Sequence, residues 1–343
     1  MPSDWAHVRR IDYRRGVAAS WINAVHREVL TQNGETIAYD RLLLTTGALP
    51  FVPTIEGFGL GGIFVMRTID DAVQLQQHIR RRRCRTAVVV GGGLLGLETA
   101  YSMSQLDVRV FVLDLASWPL SRQLDRPGGA LLWQMMSDLG VKILPQMEAR
   151  RILGTEWVEA VELSNGSTLS ADLCLVAAGI RPNAALAESA GLVVRRGVVV
   201  DDRMCTSDPH IFAAGDAVEF GERPLGLWPA AMEQAHAAVV NLLGSECRYA
   251  GATPPTRLKV AGIDLLSVGD IEPRGQDGRV VRVDSGDGRQ YQKLIVSKGR
   301  IRGAILIGHE ELADSVAAAV EAQLEVSHLL PSLEHGDWSV LAA

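Results

Sequence analysis

The sequence predicts an α/β protein built on parallel strands, with a small α+β domain at its C-terminal end. Three observations predict it. Residues 86–114, TAVVVGGGLLGLETAYSMSQLDVRVFVLD, read as strand, glycine turn, helix and strand. Apolar runs without polar alternation recur at 42–44, 173–178 and 211–214, as in strands buried on both faces. From Pro254 onward the composition shifts to closely spaced strands followed by one helix.

The elements follow in order. Residues 17–45 carry short antiparallel strands, with Asn33-Gly34 as a hairpin turn. Strand 42–44 leads into Thr46-Gly47, and Pro50 and Pro53 mark a loop. Residues 69–83 read as an amphipathic helix with a basic end. There Arg80, Arg81, Arg82 and Arg83 complement the helix dipole, an anion patch being the alternative. After the 86–114 unit come a helix at 127–139 and strands at 141–144 and 158–163. Asn165-Gly166 signals another hairpin, and strand 173–178 ends in Gly179. Strand 211–214 runs into Gly215-Asp216, and helix 229–243 has proline in its first turn. The C-terminal domain holds strands near 264–268, 279–283, 292–297 and 304–307 and a helix near 312–324.

Composition narrows the function. A chain of 343 residues that is 47% hydrophobic holds two or three domains with real cores. A net charge of −6 argues against nucleic acid as a partner. No apolar run reaches membrane-spanning length and Met1 opens no signal-peptide pattern, so a cytoplasmic protein with no membrane partner is expected. Cys84, Cys174, Cys205 and Cys247 form no C-x-x-C, which argues against a local redox disulfide, a zinc knuckle or an iron–sulfur centre. No metal site is expected.

Gly91, Gly93 and Gly96 make G-x-G-x-x-G between a strand and a helix. Gly91 permits the tight turn, Gly93 the approach of a pyrophosphate, and Gly96 close helix–strand packing. The N–H groups of Leu94 and Leu95, at the helix start, face where the phosphates would lie. Asp114 ends the next strand and suits a ribose 2′-OH, and no arginine follows at once to take a 2′-phosphate. NAD is therefore favoured over NADP.

The strings YDRLLLTTGALP, VVVGGGLLGLETA, DLCLVAAGIRPNAALAESAGL, TSDPHIFAAGDAVEF and TRLKVAGIDLLSVGD occur in this order. Together they resemble the FAD-dependent pyridine nucleotide-disulfide oxidoreductases. Within these the chain is most similar to the NADH-dependent reductase module of the nitrite reductase large subunit and to NADH:rubredoxin reductase. The resemblance implies two nucleotide-binding Rossmann-like domains, the second inserted into the first, plus the small α+β C-terminal domain. The implied boundaries are 1–84 for a partial FAD domain, 85–205 for the NAD domain, 206–252 for the returning FAD segment and 253–343 for the C-terminal domain.

It further implies an oxidoreductase that passes electrons from NADH through FAD to an acceptor protein: a rubredoxin, an iron–sulfur protein or a sirohaem protein. Gly215 and Asp216 match the second FAD motif, where the aspartate takes the ribityl hydroxyls. Thr46 and Gly47 match the crossing between nucleotide domains, and Gly179 its equivalent near NAD. Arg67 matches an arginine near FAD, an ordinary surface arginine being the alternative. Glu98 matches a glutamate beside the nicotinamide, and is the catalytic candidate. An exposed helix carboxylate is its alternative. Ala231 lies in the helix start, 229–234, implied beneath the flavin ring. Relatives often continue Gln-Gly there, whereas this chain has Gln234-Ala235. Trp228 either packs on the flavin or is a buried structural tryptophan. His236 and His309 read as structural.

Residues 1–16, MPSDWAHVRRIDYRRG, contain no apolar strand and no glycine fingerprint. The first domain is thus expected to be N-terminally truncated, without its FAD-binding βαβ. A partner chain supplying that segment is one consequence. A degenerate NAD-binding or structural subunit that has lost FAD is the alternative function.

Overall fold

The computed structural model describes residues 5–221, 224, 226–251, 256–273, 275, 277–284 and 289–342. The chain divides into two compact units: Met1–Leu49 with Arg181–Ala252, and Pro50–Ile180 with Thr253–Ala343. The expected domain boundary at 252/253 falls outside the described residues.

The first unit opens with the short helix Trp5–Val8. An antiparallel meander follows, Ala19–Asn23, Glu28–Thr31 and Thr36–Ala38, paired in that order. Gly34, in the Asn33-Gly34 turn, has φ +85°, which a side chain would strain. Leu42–Leu44 pairs in parallel with Ile211–Ala213, and the Ala214 N–H extends this ladder to the Leu44 carbonyl at 3.0 Å. Both strands therefore run out at one edge, where Thr46-Gly47 and Gly215-Asp216 follow. The core gathers Ile22, Leu44, Met204, Phe212 and Ala238. Asn241 fastens the end of the helix Trp228–Leu242, its buried amide donating to the carbonyls of Ala237, Arg203 and Cys247 at 2.8, 3.1 and 2.6 Å.

The second unit holds a five-stranded parallel sheet in the order Ile63–Val65, Leu173–Val176, Thr86–Val90, Arg109–Asp114, Val141–Pro145. The helices Ile69–Arg82, Leu94–Ser104 and Arg126–Asp138 share its main core through Leu75, Leu97 and Leu132. A small antiparallel sheet, Ala149–Leu153, Ala160–Leu163 and Thr168–Ser170, supplies Ile152 and Val161 to a second cluster with Val88 and Cys174. Helix starts follow the sequence signals. Thr68 and Asp71 form a reciprocal capping box, and Asp125 caps a helix with proline in its first turn.

The C-terminal part is an antiparallel sheet in the order Thr256–Val260, Ile263–Gly269, Arg300–Ile307, Tyr291–Ser297, Gly278–Asp284. Its strands alternate with period two. Leu265, Ile305 and Ile307 join the nucleotide-sheet core, while Leu266, Ala304 and Leu306 pack with the helix Ala313–Glu321.

The mixed α/β class is as the sequence predicts, with differences of detail. Strands Ile63–Val65 and Ala149–Leu153 lack a periodic signal of their own, whereas Thr256–Val260, also beyond the strands expected, alternates polar and apolar residues over 257–260. Strand 158–163 begins only at Ala160, and strand 173–178 ends at Val176. Past Val176 the Ala177 N–H still donates to the Val90 carbonyl at 2.9 Å, while the Ala177 carbonyl fills the space a Cβ on Gly91 would need. No helix among the described residues is long and apolar enough to cross a membrane.

Candidate functional site: two nucleotide turns

The glycine turn of the second unit is shaped by contacts that forbid side chains. Gly91 has φ +119°, and a Cβ there would strike the Ala177 carbonyl. A Cβ on Gly96 would strike the Gly91 carbonyl oxygen, so the helix Leu94–Ser104 lies directly on the turn. Gly93 differs. A Cβ there would meet nothing within 4 Å, so this backbone faces open space. Gly93 is also the helix N-cap and offers no side-chain cap, which leaves the first N–H groups for an outside acceptor. Leu94 and Leu95 at the helix start are 37% and 44% exposed.

Asp114 stands beside this turn. Its carboxylate abuts Gly92 so closely that a Cβ on Gly92 would collide with it. One oxygen accepts the Ala116 N–H at 3.0 Å. Burial raises the Asp114 pKa, and the Ala116 N–H partly offsets this. Gly92 was missed in the sequence reading, although the Gly-Gly-Gly run marks it.

Glu98 sits on the same helix, half-buried rather than exposed. It lines an apolar cavity of about 320 Å³ together with Met66, Leu75, Leu95 and Met103. Burial raises its pKa, opposed by a hydrogen bond from the Ala261 backbone. Ala261 has φ +53° in the turn joining two C-terminal strands, a contact that sequence spacing does not announce. Arg67 is exposed just before the helix Ile69–Arg82, its backbone N–H donating to Asp71 at 2.9 Å. Gly179 has φ +114°, and its carbonyl accepts the Phe51 N–H at 2.9 Å.

In the first unit, Thr46 and Gly47 clasp Asn183. The Thr46 hydroxyl donates to the Asn183 carbonyl at 2.6 Å, and the Asn183 N–H donates to the Gly47 carbonyl at 2.9 Å. Gly215 has φ +83° and opens a 3₁₀ turn containing Asp216. Its N–H donates to Gln234 Oε1 at 2.9 Å, from the helix that starts at Trp228. Ala231 faces Gly215, 3.9 Å from where a Cβ would stand. That helix start also lacks a side-chain cap. Trp228 is 78% exposed, so the reading as a buried structural tryptophan is corrected. His236 is exposed, and His309 pairs with Glu311 at 3.2 Å.

The residues fit both nucleotides. An uncapped helix start over bare Gly93, with a carboxylate at the next strand end, suits the pyrophosphate and ribose of NAD. A left-handed glycine followed by Asp216, beside a second uncapped helix start, suits FAD.

These features define an α/β protein of the dinucleotide-binding oxidoreductase class. Residues 8–235 match the model of the pyridine nucleotide-disulphide oxidoreductases, and residues 254–324 that of the rubredoxin NAD+ reductase C-terminal domain. The chain belongs to the pyridine nucleotide-disulphide oxidoreductase family, whose members use FAD and NAD(P)H. It is 30% identical to the nitrite reductase [NAD(P)H] of Bacillus subtilis (strain 168), over 99% of this chain and 43% of that protein. It is 32% identical to the ferredoxin–NAD(+) reductase component of the biphenyl dioxygenase system of Paraburkholderia xenovorans (strain LB400), over 90% of this chain and 75% of that one. Putidaredoxin reductase, in the crystal structure of its covalent complex with putidaredoxin, superposes with a TM-score of 0.87 at 26% identity, covering 100% of this chain and 84% of that one. The chain spans less than half the length of the nitrite and nitrate reductase relatives it matches.

Proposed function

We propose that this chain is an NADH-dependent flavoprotein reductase that hands electrons to an acceptor protein. The observation that carries the proposal is the Asp114 carboxylate, held at a strand end beside a glycine turn whose Gly93 faces open space. When bound, NADH and FAD supply the hydride and electron chemistry, and the protein supplies orientation and electrostatics.

The N–H groups of Leu94 and Leu95 hold the pyrophosphate of NADH, and Asp114 accepts its ribose hydroxyls. Glu98 orients the nicotinamide amide. Its apolar surroundings raise its pKa, and the Ala261 backbone bond opposes the shift. Gly215 and Asp216 hold the FAD ribityl chain. The helix start from Trp228 through Ala231 turns its positive dipole end toward the flavin. Thr46, Gly47, Arg67 and Gly179 complete the binding residues. The division 1–84, 85–205, 206–252 and 253–343 is part of this reading, as is a cytoplasmic location.

The acceptor is a small iron–sulfur or rubredoxin-type protein, or a sirohaem centre carried on another part of the assembly. Relatives named as ferredoxin and rubredoxin reductases and as nitrite reductases support this class. Reductase assays with ferricyanide test the proposal. FAD-reconstituted chain that oxidises NADH faster than NADPH supports it. A reconstituted chain with no NADH-dependent turnover contradicts it.

A further inference from the structure

We propose that Gln234 is a positioning residue for the flavin side of this chain. It locks the Gly215-Asp216 turn to the helix that carries Trp228 and Ala231. This deepens the proposed function and rests on it.

Gln234 is a polar side chain in mid-helix, yet it is only 3% exposed. Burying an amide is unfavourable unless it is hydrogen-bonded. Its oxygen accepts the N–H of Gly215 at 2.9 Å. That N–H belongs to the glycine that leaves the parallel strand Ile211–Ala213 with φ +83°. One side chain thus joins a strand end to a helix. Among the described residues the Gln234 amide nitrogen makes no hydrogen bond. The two heteroatoms of one amide lie side by side, so this donor stands near the same turn.

The consequence is mechanical. Asp216 and the uncapped helix start are the two groups that face FAD in the proposed reading. Their separation depends on how the helix seats against the turn. Gly215 and Ala231 present only hydrogen and a methyl group to each other, so no side chain interlocks the turn with the helix at that point. The Gln234 bond sets the register. The Ala235 that stands where relatives often carry glycine leaves this bond in place.

The test uses the full chain and three readouts. Gln234→Met keeps the side-chain length and removes the acceptor, while Gln234→Glu retains an acceptor. We expect Gln234→Met to weaken FAD binding about tenfold, the cost of an unmet buried N–H. It should also speed hydrogen exchange at the Gly215 amide in flavin-free protein. Its flavin midpoint potential should become more negative, because a loosened helix start stabilises reduced flavin less. Gln234→Glu should restore slow exchange at Gly215. A Gln234→Met protein with unchanged affinity, exchange and potential overturns the inference alone. Wild-type protein that takes up no FAD overturns the proposed function and the inference together. If Gln234→Met does not fold, the wild-type Gly215 amide decides: slow exchange supports the lock, and exchange as fast as in an open loop overturns it.

Discussion

Lys293 and Asp125 form a buried ion pair: Nζ lies 2.8 Å from Oδ2, and each side chain is only 4% exposed. The Tyr291 hydroxyl donates to the same oxygen at 2.6 Å, and Gly128 N–H donates to the other carboxylate oxygen at 3.1 Å. Lys293 Nζ also donates to the Ile271 carbonyl at 2.7 Å and meets Glu272 at 3.0 Å. The network ties the C-terminal antiparallel sheet to the capped start of the helix Arg126–Asp138. Removing one partner strands a buried charge. Lys293→Met alone should destabilise the second unit by about 3–5 kcal/mol. Lys293→Met with Asp125→Leu should recover much of that loss. Urea unfolding of the single and double variants checks this. Additive losses would show that the two charges do not act as a pair.

The fingerprint glycines should separate folding from binding. Gly96→Ala drives a methyl group into the Gly91 carbonyl, so the cost should exceed the usual 1–3 kcal/mol of overpacking. Gly93→Ala meets no atom within 4 Å, so stability should stay within about 0.5 kcal/mol. NADH affinity should nevertheless fall, because the new methyl group occupies the phosphate approach. Thermal melts and NADH titrations of the two variants, side by side, read out the difference. Equal loss of stability in both would contradict it.

Asp114 gives NADH binding a pH dependence. Burial raises its pKa, so the folded protein takes up the proton at higher pH than an ordinary aspartate. The carboxylate is the form that accepts ribose hydroxyls. Acidification through the raised pKa therefore weakens NADH binding, starting above the usual aspartate range. The sign for folding is opposite. The neutral form is favoured by burial, so this group's stabilising contribution is full below the unfolded-state pKa. It is lost as pH rises through the folded-state value. Asp114→Asn should abolish the acid limb of binding and weaken NADH by roughly tenfold or more, the worth of charge-assisted hydrogen bonds. An acid limb that persists in Asp114→Asn assigns it to another group.

Glu98 should act on nicotinamide placement more than on nucleotide affinity. Glu98→Gln keeps a side-chain oxygen that accepts the Ala261 N–H and adds an amide donor. It should leave NADH oxidation within a few-fold. Glu98→Ala leaves neither and should lower kcat more than it raises KM. Steady-state kinetics with ferricyanide distinguishes the two. A pure KM effect would make Glu98 a simple affinity residue.

The parts of the site that lie at fixed spacing along the chain were legible. Gly91, Gly93, Gly96 and Asp114 announce themselves because one local βαβ unit needs them all. Gly215-Asp216 was singled out by its resemblance to the family's second FAD motif, at the end of a short apolar strand. The parts that depend on distant chain segments were not. Gln234 reaches Gly215, Asn183 is clasped by Thr46 and Gly47, and the Ala261 N–H holds Glu98. None of these pairs has a periodic or spacing signal. Strand Ile63–Val65 is too short to show alternation, and only its pairing with Leu173–Val176 makes it an edge of the sheet. Lys293 and Gln292 are polar residues buried at 3% and 4%, which hydropathy alone assigns to the surface.

In the proposed function, this one chain seats a flavin that NADH reduces. The most direct test is an anaerobic visible spectrum of purified protein, incubated with FAD and freed of unbound cofactor, before and after NADH. Protein-bound flavin bands should appear and should bleach on adding NADH. A protein that remains colourless after incubation with FAD, or whose bound flavin is untouched by NADH, would contradict the proposed function.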